Sequence, residues 1–422
     1  MSTEKKNYAL PIAMMFALFF MIAFVTGLPS PMGVIVAKQF GATNFESQLG
    51  FLGNFLAYAF MGIPAGIMLK KFGYKKTALS AIGVGFVGVG VQFLSGQVGL
   101  FSIYLVGTFI SGFSMCMLNT VVNPMLNTLG GGGNSGNRLL QFGGSINSIG
   151  ATITPMLVGW LMGAEAGRTI EKANPALFLA LGIFALAFVV LSFVNIPEPH
   201  METAAERKVK HSHSPLSFRH FIFGAIAIFI YVGIEIGIPS TANLFMTASK
   251  TATNAGLGIE ATTAGSIVGV YWLLMLVGRL IGASIGAKVS SKSMMIGVSA
   301  LGLVLILAAI LSPITTTVTL PYFGTQVPLS IVFLVLCGLC TSIMWGGVFN
   351  LAVEGLGKYT AAGAGIFMVM VCGGGIVPLI QGFVSDHFGY LNSYWVMFAC
   401  IAYMMWYALV GCKNVNKDIP VE

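Results

Sequence analysis

One carboxylate stands where its chemistry is conspicuous. Residues 219–247, RHFIFGAIAIFIYVGIEIGIPSTANLFMT, form a long apolar run with a single acid near the middle, Glu235. An acid at that depth costs roughly 2.5 kcal/mol or more to place in a bilayer. It needs water, a partner or a proton there. The functional reading is a proton- or cation-linked site; the plainer one is a neutral Glu bonded to a neighbouring helix. A second pattern lies in MCMLNTVVNPMLNTLG, where Asn119, Asn123 and Asn127 recur at i, i+4 and i+8. That spacing puts the amides roughly on one helix face. Amides both donate and accept, which suits sugar hydroxyls, against a plainer role in interhelical packing. Gln141, Asn147, Asn54 and Tyr58 add polar groups from neighbouring runs. The second half of the chain contributes Tyr231, Asn243, Tyr271, Trp272, Trp345 and Asn350. Aromatic rings beside amides and a carboxylate form a surface fit for sugar rings, although an aromatic in a membrane helix more often packs or faces lipid.

The elements that must position these residues follow from composition. The chain has 422 residues, 56% of them hydrophobic and 8% charged. Soluble domains carry about 25% charged residues. A polytopic membrane protein is the class that fits. Apolar segments fall near 9–37, 46–69, 77–97, 101–128, 138–163 and 175–195, then near 219–247, 262–287, 293–312, 327–355, 360–384 and 392–412. The expected fold is therefore an all-α membrane protein of 12 transmembrane helices. Residues 1–196 and 219–422 form two six-helix bundles, joined by a polar linker over 197–218. The N-terminal run resembles a signal peptide, but it is too long and no small-residue cleavage site follows, so it reads as a retained first span.

Charge placement sets the orientation. With the N-terminus in the cytoplasm, sixteen of the 21 lysines and arginines fall on the cytoplasmic side and four on the other, with Arg279 at the end of the eighth helix. That asymmetry puts both termini inside. The net charge of +8 is spread between apolar runs and makes no nucleic-acid face. The cysteines lie in or beside apolar runs, so the pair Cys337 and Cys340 reads as packing rather than redox or metal chemistry. The histidines have no metal spacing. Gly131-x-Gly133-x-x-Gly136 lacks the strand that a dinucleotide fingerprint needs. No nucleophile–base pair supports an enzyme. Glu354 and Asp386 lie near helix ends and read as interfacial or gating groups.

The halves also repeat one another. Gly27-Leu28-Pro29-Ser30 matches Gly237-Ile238-Pro239-Ser240, Asn123 falls over Asn350, and Pro155 with Gly159 matches Pro378 with Gly382. Prolines and glycines at these positions allow kinks and close helix approach. A parallel duplication places a cavity between the halves, lined by the first, fourth, seventh and tenth helices.

Several stretches carry a family resemblance over nearly the whole chain. They are Phe24-Val25-Thr26-Gly27-Leu28, Pro64-Ala65-Gly66 with Lys70-Lys71-Phe72-Gly73-Tyr74-Lys75-Lys76, and Asn123-Pro124. Further ones are Ser145-Ile146-Asn147-Ser148-Ile149-Gly150, Tyr231-Val232-Gly233-Ile234-Glu235, Gly355 to Thr360, and Gly373-Gly374 with Pro378. The chain resembles the major facilitator superfamily, and within it the fucose/glucose–galactose:cation symporters. The resemblance implies the major facilitator fold and a bacterial sugar carrier of the inner membrane working by alternating access. It also shows departures. The acids of the proton–fucose pattern fall on Ser30 and Asn119, and a family Gln falls on Gly144. The glutamate of the glucose–galactose relatives matches Glu235. The usual acid of the second-to-third-helix loop is absent, with Lys70 or Lys71 nearby.

The expectation is import of a neutral hexose, deoxyhexose or N-acetylated sugar. Asn119, Asn123, Asn147, Tyr231, Trp272, Trp345 and Asn350 would bind it. Glu235 would couple to H+ or Na+, with no other cofactor, and Lys70, Lys71 and Arg279 would gate. Its partners would be the sugar and the bilayer, with no nucleic acid, and it would act as a monomer. Alternatives are an uncoupled facilitator, favoured by Ser30 and Asn119, and an exporter of amphipathic compounds, disfavoured by the clustered amides. An anionic sugar would want a cation facing the cavity. Arg279, placed near the cytoplasmic helix end, is a poor fit for that role.

Overall fold

A computed structural model describes residues 8–130, 133–161, 169–198, 213–251, 254–285, 289–416 and 418–420. Most of the 197–218 linker and the side chains of Asn127 and Gln141 lie outside the described residues.

The first crossing is made of α1 (Ala9–Gly27) and α2 (Pro29–Phe40), broken at Leu28. Pro29 has no N–H to offer the Val25 carbonyl, which takes the Leu28 amide instead at 3.3 Å. A single turn, α3 (Asn44–Ser47), precedes α4 (Leu49–Val98), which is two crossings joined at Gly73. Gly73 has φ 84°, a conformation that favours glycine, and it makes the reversal possible. Helices α5 (Phe101–Leu129), α6 (Gly133–Leu161) and α7 (Asn174–Phe193) complete the first half.

The second half holds α8 (Arg219–Thr247), α9 (Ala261–Ile285) and α10 (Ser291–Leu311). Then comes a small hairpin, β1 (Thr317–Leu320) with β2 (Thr325–Pro328), paired antiparallel with Leu320 opposite Thr325. Helices α11 (Leu329–Thr341) and α12 (Met344–Val353) form one crossing, and α13 (Thr360–Met370) and α14 (Gly373–Phe388) another. The last is α15 (Tyr390–Trp406), prolonged by a π-helical turn over Tyr407–Gly411. Twelve crossings result, and the chain is a multi-pass membrane protein. Its outward faces are apolar: Trp160 is 72% exposed, Leu311 68% and Phe193 84%, as lipid contact requires.

Two features depart from the sequence reading. The hairpin between the ninth and tenth crossings was not foreseen. Helices α6, α8 and α14 also run on through Pro155, Pro239 and Pro378, while the later breaks fall at Ser342–Ile343 and Val371–Cys372. Three glycines in a row, Gly373 to Gly375, follow the second of these breaks.

The halves meet along α6 with α9 and along α4 with α13 and α14. Small residues set the approach. A Cβ on Gly375 would lie 2.7 Å from the Leu52 Cα, and one on Gly265 2.7 Å from the Pro155 carbonyl oxygen. At the end away from the lysine-bearing 70–76 loop, hydrogen bonds tie the halves directly. The Asp386 carboxylate accepts from the Asn44 amide at 2.8 Å and the Phe45 amide at 2.9 Å, capping α3. The Tyr390 hydroxyl donates to Asn44 Oδ1, and Asn44 Nδ2 to Ser385 Oγ. Gln48 Nε2 donates to Ser240 Oγ and Thr241 Oγ1.

At the lysine-bearing end, Glu198 takes the place of the missing loop acid. Its carboxylate accepts from the Tyr74 and Lys75 amides where the chain re-enters the helix after Gly73. Lys70 and Lys71 are exposed, and Lys71 lies 5.3 Å over the Phe72 ring.

If Asp386 holds the far end shut, Asp386→Ala will open it. Hydrogen bonds to a charged group contribute about 1.5–3 kcal/mol each. Thiol labelling of a Ser240→Cys reporter in detergent should therefore accelerate about fivefold or more in the Asp386→Ala background. Equal labelling rates would mean that Asp386 does not hold this end.

Candidate ion-pair and substrate site

Glu235 lies four turns into α8, where both neighbouring turns are buried. It is not a lone charge. Arg279 Nη2 is 3.5 Å from Glu235 Oε1, and the two side chains are only 15% and 16% exposed. The sequence reading set Arg279 near a helix end, and its backbone is there, six residues before the last residue of α9. Side chains on a helix tilt toward its N-terminus. Helix α9 starts at the far end, so this long side chain reaches back toward the centre and meets Glu235. The head of Arg279 therefore lies deeper than its backbone position near the helix end implies.

The guanidinium is spoken for on every side. Nη1 donates to the Gly144 carbonyl at 2.8 Å and to Ser148 Oγ at 2.7 Å, both on α6 of the first half. Nε donates to the Ser342 carbonyl at 3.4 Å. That carbonyl is available because the tenth crossing breaks at Ser342–Ile343. Arg279 therefore joins Glu235, the broken helix and the other half of the molecule. Ser148 lies within the quoted Ser145–Gly150 stretch but was not singled out; its one sequence signal was its place one residue after Asn147.

Tyrosines surround the pair. The Tyr231 hydroxyl, one turn before Glu235 on α8, is buried and faces both charges. Tyr271 donates its hydroxyl to the Glu235 carbonyl at 3.3 Å and lies 3.1 Å from Thr341 Oγ1. Trp345 sits against the Tyr231 ring at 6.1 Å, and Trp272 meets Tyr271 edge-on at 5.3 Å.

The amides are oriented by the backbone. Asn119 Nδ2 donates to Tyr58 Oη at 2.9 Å and the Met115 carbonyl at 3.1 Å. Asn123 Nδ2 donates to the Asn119 carbonyl, and Asn147 Nδ2 to the Phe19 carbonyl of α1. Backbone carbonyls only accept, so each NH2 must face its carbonyl and each Oδ1 must face the other way. All three residues are half-buried, and none of these Oδ1 atoms accepts a bond from a described residue. The first half thus carries several amide oxygens without a donor among the described residues. Asn350 is exposed on α12, one turn from Glu354, and stands apart from the ion pair. Lys70 and Lys71 are likewise remote from it, at the 70–76 loop.

Two six-helix bundles, with the arginine of a buried ion pair in the second hydrogen-bonded to the first, have the architecture of a membrane carrier. The family model described as "Major Facilitator Superfamily" matches residues 14–378, and the chain belongs to that superfamily. It is 28% identical over 417 residues to a glucose/galactose transporter of Brucella abortus biovar 1 (strain 9-941), covering 98% of this chain and 97% of the relative. It is 23% identical to the L-fucose-proton symporter of Escherichia coli (strain K12), covering 92% and 89%. Among solved structures, FucP in the outward conformation matches with a TM-score of 0.67 at 21% identity, over 96% of this chain and all of that one. A D-xylose-proton symporter matches with 0.67 at 14% identity, over 97% of each. These likenesses fix the fold.

The ion pair has a direct test. Breaking a buried pair by removing one partner costs on the order of 3 kcal/mol or more. Arg279→Gln should lower the melting temperature of the purified protein by several degrees, and adding Glu235→Gln should restore most of the loss. Additive effects of the two changes would show that the charges are not coupled.

Proposed function

We propose that this chain imports a neutral sugar by alternating access, with a proton or Na+ exchanged at Glu235. The observation that carries the reading is the shared Arg279 guanidinium. It links the carboxylate on one bundle to acceptors on the other, so the charge of Glu235 bears on how the bundles sit. A cation drives transport only if it binds the two conformations unequally. Neutralising Glu235 would remove the counter-charge of Arg279 and change its hold on Gly144 and Ser148. The relatives named as a glucose/galactose transporter and an L-fucose-proton symporter support a sugar as cargo.

The chemistry of the wall supports a neutral one. Free Oδ1 acceptors on Asn119, Asn123 and Asn147 suit hydroxyl donors. Arg279 is already balanced by Glu235, so it is not a spare cation for a carboxylate. Tyr231, Trp272 and Trp345 offer ring faces, and Asn350 a further amide toward the lysine-bearing end. A hexose, deoxyhexose or N-acetylated sugar fits. The positive-inside asymmetry supports a bacterial cytoplasmic membrane with both termini inside, and the carrier would work as a monomer. Lys70 and Lys71 would act on the cytoplasmic loop rather than at the site.

A specific observation favours a second reading, an uncoupled facilitator. Ser30 and Asn119 replace the acids of the proton–fucose pattern, and both are tied up between helices: Asn243 Nδ2 donates to Ser30 Oγ at 3.3 Å, and Asn119 binds Tyr58.

A thermal-shift screen of sugars on the purified protein identifies the cargo, and proteoliposomes then separate the readings. Glu235→Gln should abolish accumulation under a proton or sodium gradient while retaining sugar counterflow. Undiminished accumulation would remove the ion role from Glu235 and favour the facilitator. Asn119→Leu should raise the half-saturating sugar concentration about tenfold or more, the loss of one buried polar contact; an unchanged value would take Asn119 out of the binding wall.

A further inference from the structure

We infer that a pocket at the lysine-bearing end of the second bundle binds the phosphate headgroup of an anionic glycerophospholipid. The pocket has a volume of about 120 Å³ and lies where the chain after α15 crosses the start of α8. The π-helical turn over Tyr407–Gly411 creates it. In that turn the Cys412 amide reaches back five residues to the Tyr407 carbonyl at 2.8 Å. The widened turn sends residues 413–416 back across α8, and Asn416 Oδ1 accepts from the Arg219 amide at 2.9 Å. Arg219 and Lys413 then line one cavity. Such π turns are rare and concentrate at functional positions.

The walls are built. Phe223 and Trp406 pack edge-to-face at 5.0 Å, and the Tyr403 hydroxyl donates to the Phe223 carbonyl at 3.1 Å. The Arg219 guanidinium lies 5.3 Å from the Phe223 ring, which fixes it without using its N–H donors. Neither Arg219 nor Lys413 makes an ion pair with a described residue. Two exposed cations, without an ion-pair partner among the described residues, thus face an aromatic pocket at the end of apolar helices.

A phosphodiester supplies what this arrangement lacks. Its oxygens match the fork of an arginine, with the lysine as second charge. Tryptophan favours the headgroup level, and basic pockets between helices on the cytoplasmic side take phospholipid headgroups. Val410 and Leu409, 61% and 50% exposed, continue the wall along the outside of the last crossing, where an acyl chain would lie. Free phosphate would make no use of that apolar wall, which is why the lipid is the occupant.

The experiment is native mass spectrometry of the full-length, detergent-purified protein titrated with phosphatidylglycerol, phosphatidylcholine or inorganic phosphate. Wild type should retain one phosphatidylglycerol in clear preference to phosphatidylcholine. Arg219→Ala with Lys413→Ala should reduce that retention at least about tenfold, and Arg219→Lys with Lys413→Arg should restore it. Val410→Trp, which fills the pocket and keeps both cations, should cause the same loss. Equal retention in wild type and the alanine pair, or undiminished retention in Val410→Trp, would overturn the site. Inorganic phosphate that displaces the lipid at equal concentration would overturn the lipid assignment. None of these readouts involves sugar or a gradient, so they stand or fall separately from the transport reading.

Discussion

A buried guanidinium cannot be left without acceptors, and Arg279 draws its acceptors from both bundles. It belongs to α9, pairs with Glu235 on α8, and spends two bonds on Gly144 and Ser148 of α6. Removing charge or acceptors from a site of this kind costs several kcal/mol. The position of one bundle against the other and the state of Glu235 are therefore not independent quantities. Any movement that draws α6 from α9 strips Arg279 of two of its three neutral acceptors, leaving the Ser342 carbonyl. Any neutralisation of Glu235 strips it of its counter-charge. Coupling of this kind is reciprocal by thermodynamic necessity.

Much of the surrounding architecture serves that contact. The direction of α9 aims a long side chain from a helix end toward the middle of the molecule. The break in the tenth crossing frees the Ser342 carbonyl for Nε, and Thr341 just before it meets the Tyr271 hydroxyl. Gly265 lets α9 come within backbone distance of α6, without which the bonds to Gly144 and Ser148 could not form. At the far end the same economy appears on α3. A single helical turn leaves its first amides without partners, and Asp386 from the other bundle supplies them.

The fold was legible because a bilayer imposes length and hydrophobicity on every crossing, and the spans show both. The break at Leu28 could be read from Pro29. The breaks at Ser342 and Val371 could not, since no proline marks them and tertiary packing decides where a glycine-rich helix yields. Glu235 stands out in any reading as an acid in an apolar run. Its counter-ion was missed because sequence position locates a Cα, whereas an arginine head lies several ångströms along the helix from it. The Asn119 and Asn123 spacing shows a shared face but not which end of each amide is free; that depends on which carbonyls lie one turn back. Asp386 could be placed near a helix end, but its partners lie more than 340 residues away in sequence, beyond any local pattern.

The division of chemistry between the bundles has a consequence. The first contributes only neutral groups to Arg279, a backbone carbonyl and a hydroxyl, each worth about 1.5–3 kcal/mol to a charged donor. The second contributes a carboxylate, and losing one member of such a pair costs about 3–5 kcal/mol. With Glu235 ionised, the stronger hold is within the second bundle. When the bundles part, the arginine stays with the carboxylate and the bonds to α6 are the ones that break. With Glu235 neutral the order reverses, because a carboxylic acid is a weak acceptor for a cation and the two bonds to α6 become the larger share. On the proposed alternating-access reading, the charge on one oxygen pair would thus decide which bundle keeps the arginine, although the first bundle has no acid at Ser30 or Asn119 to do so itself.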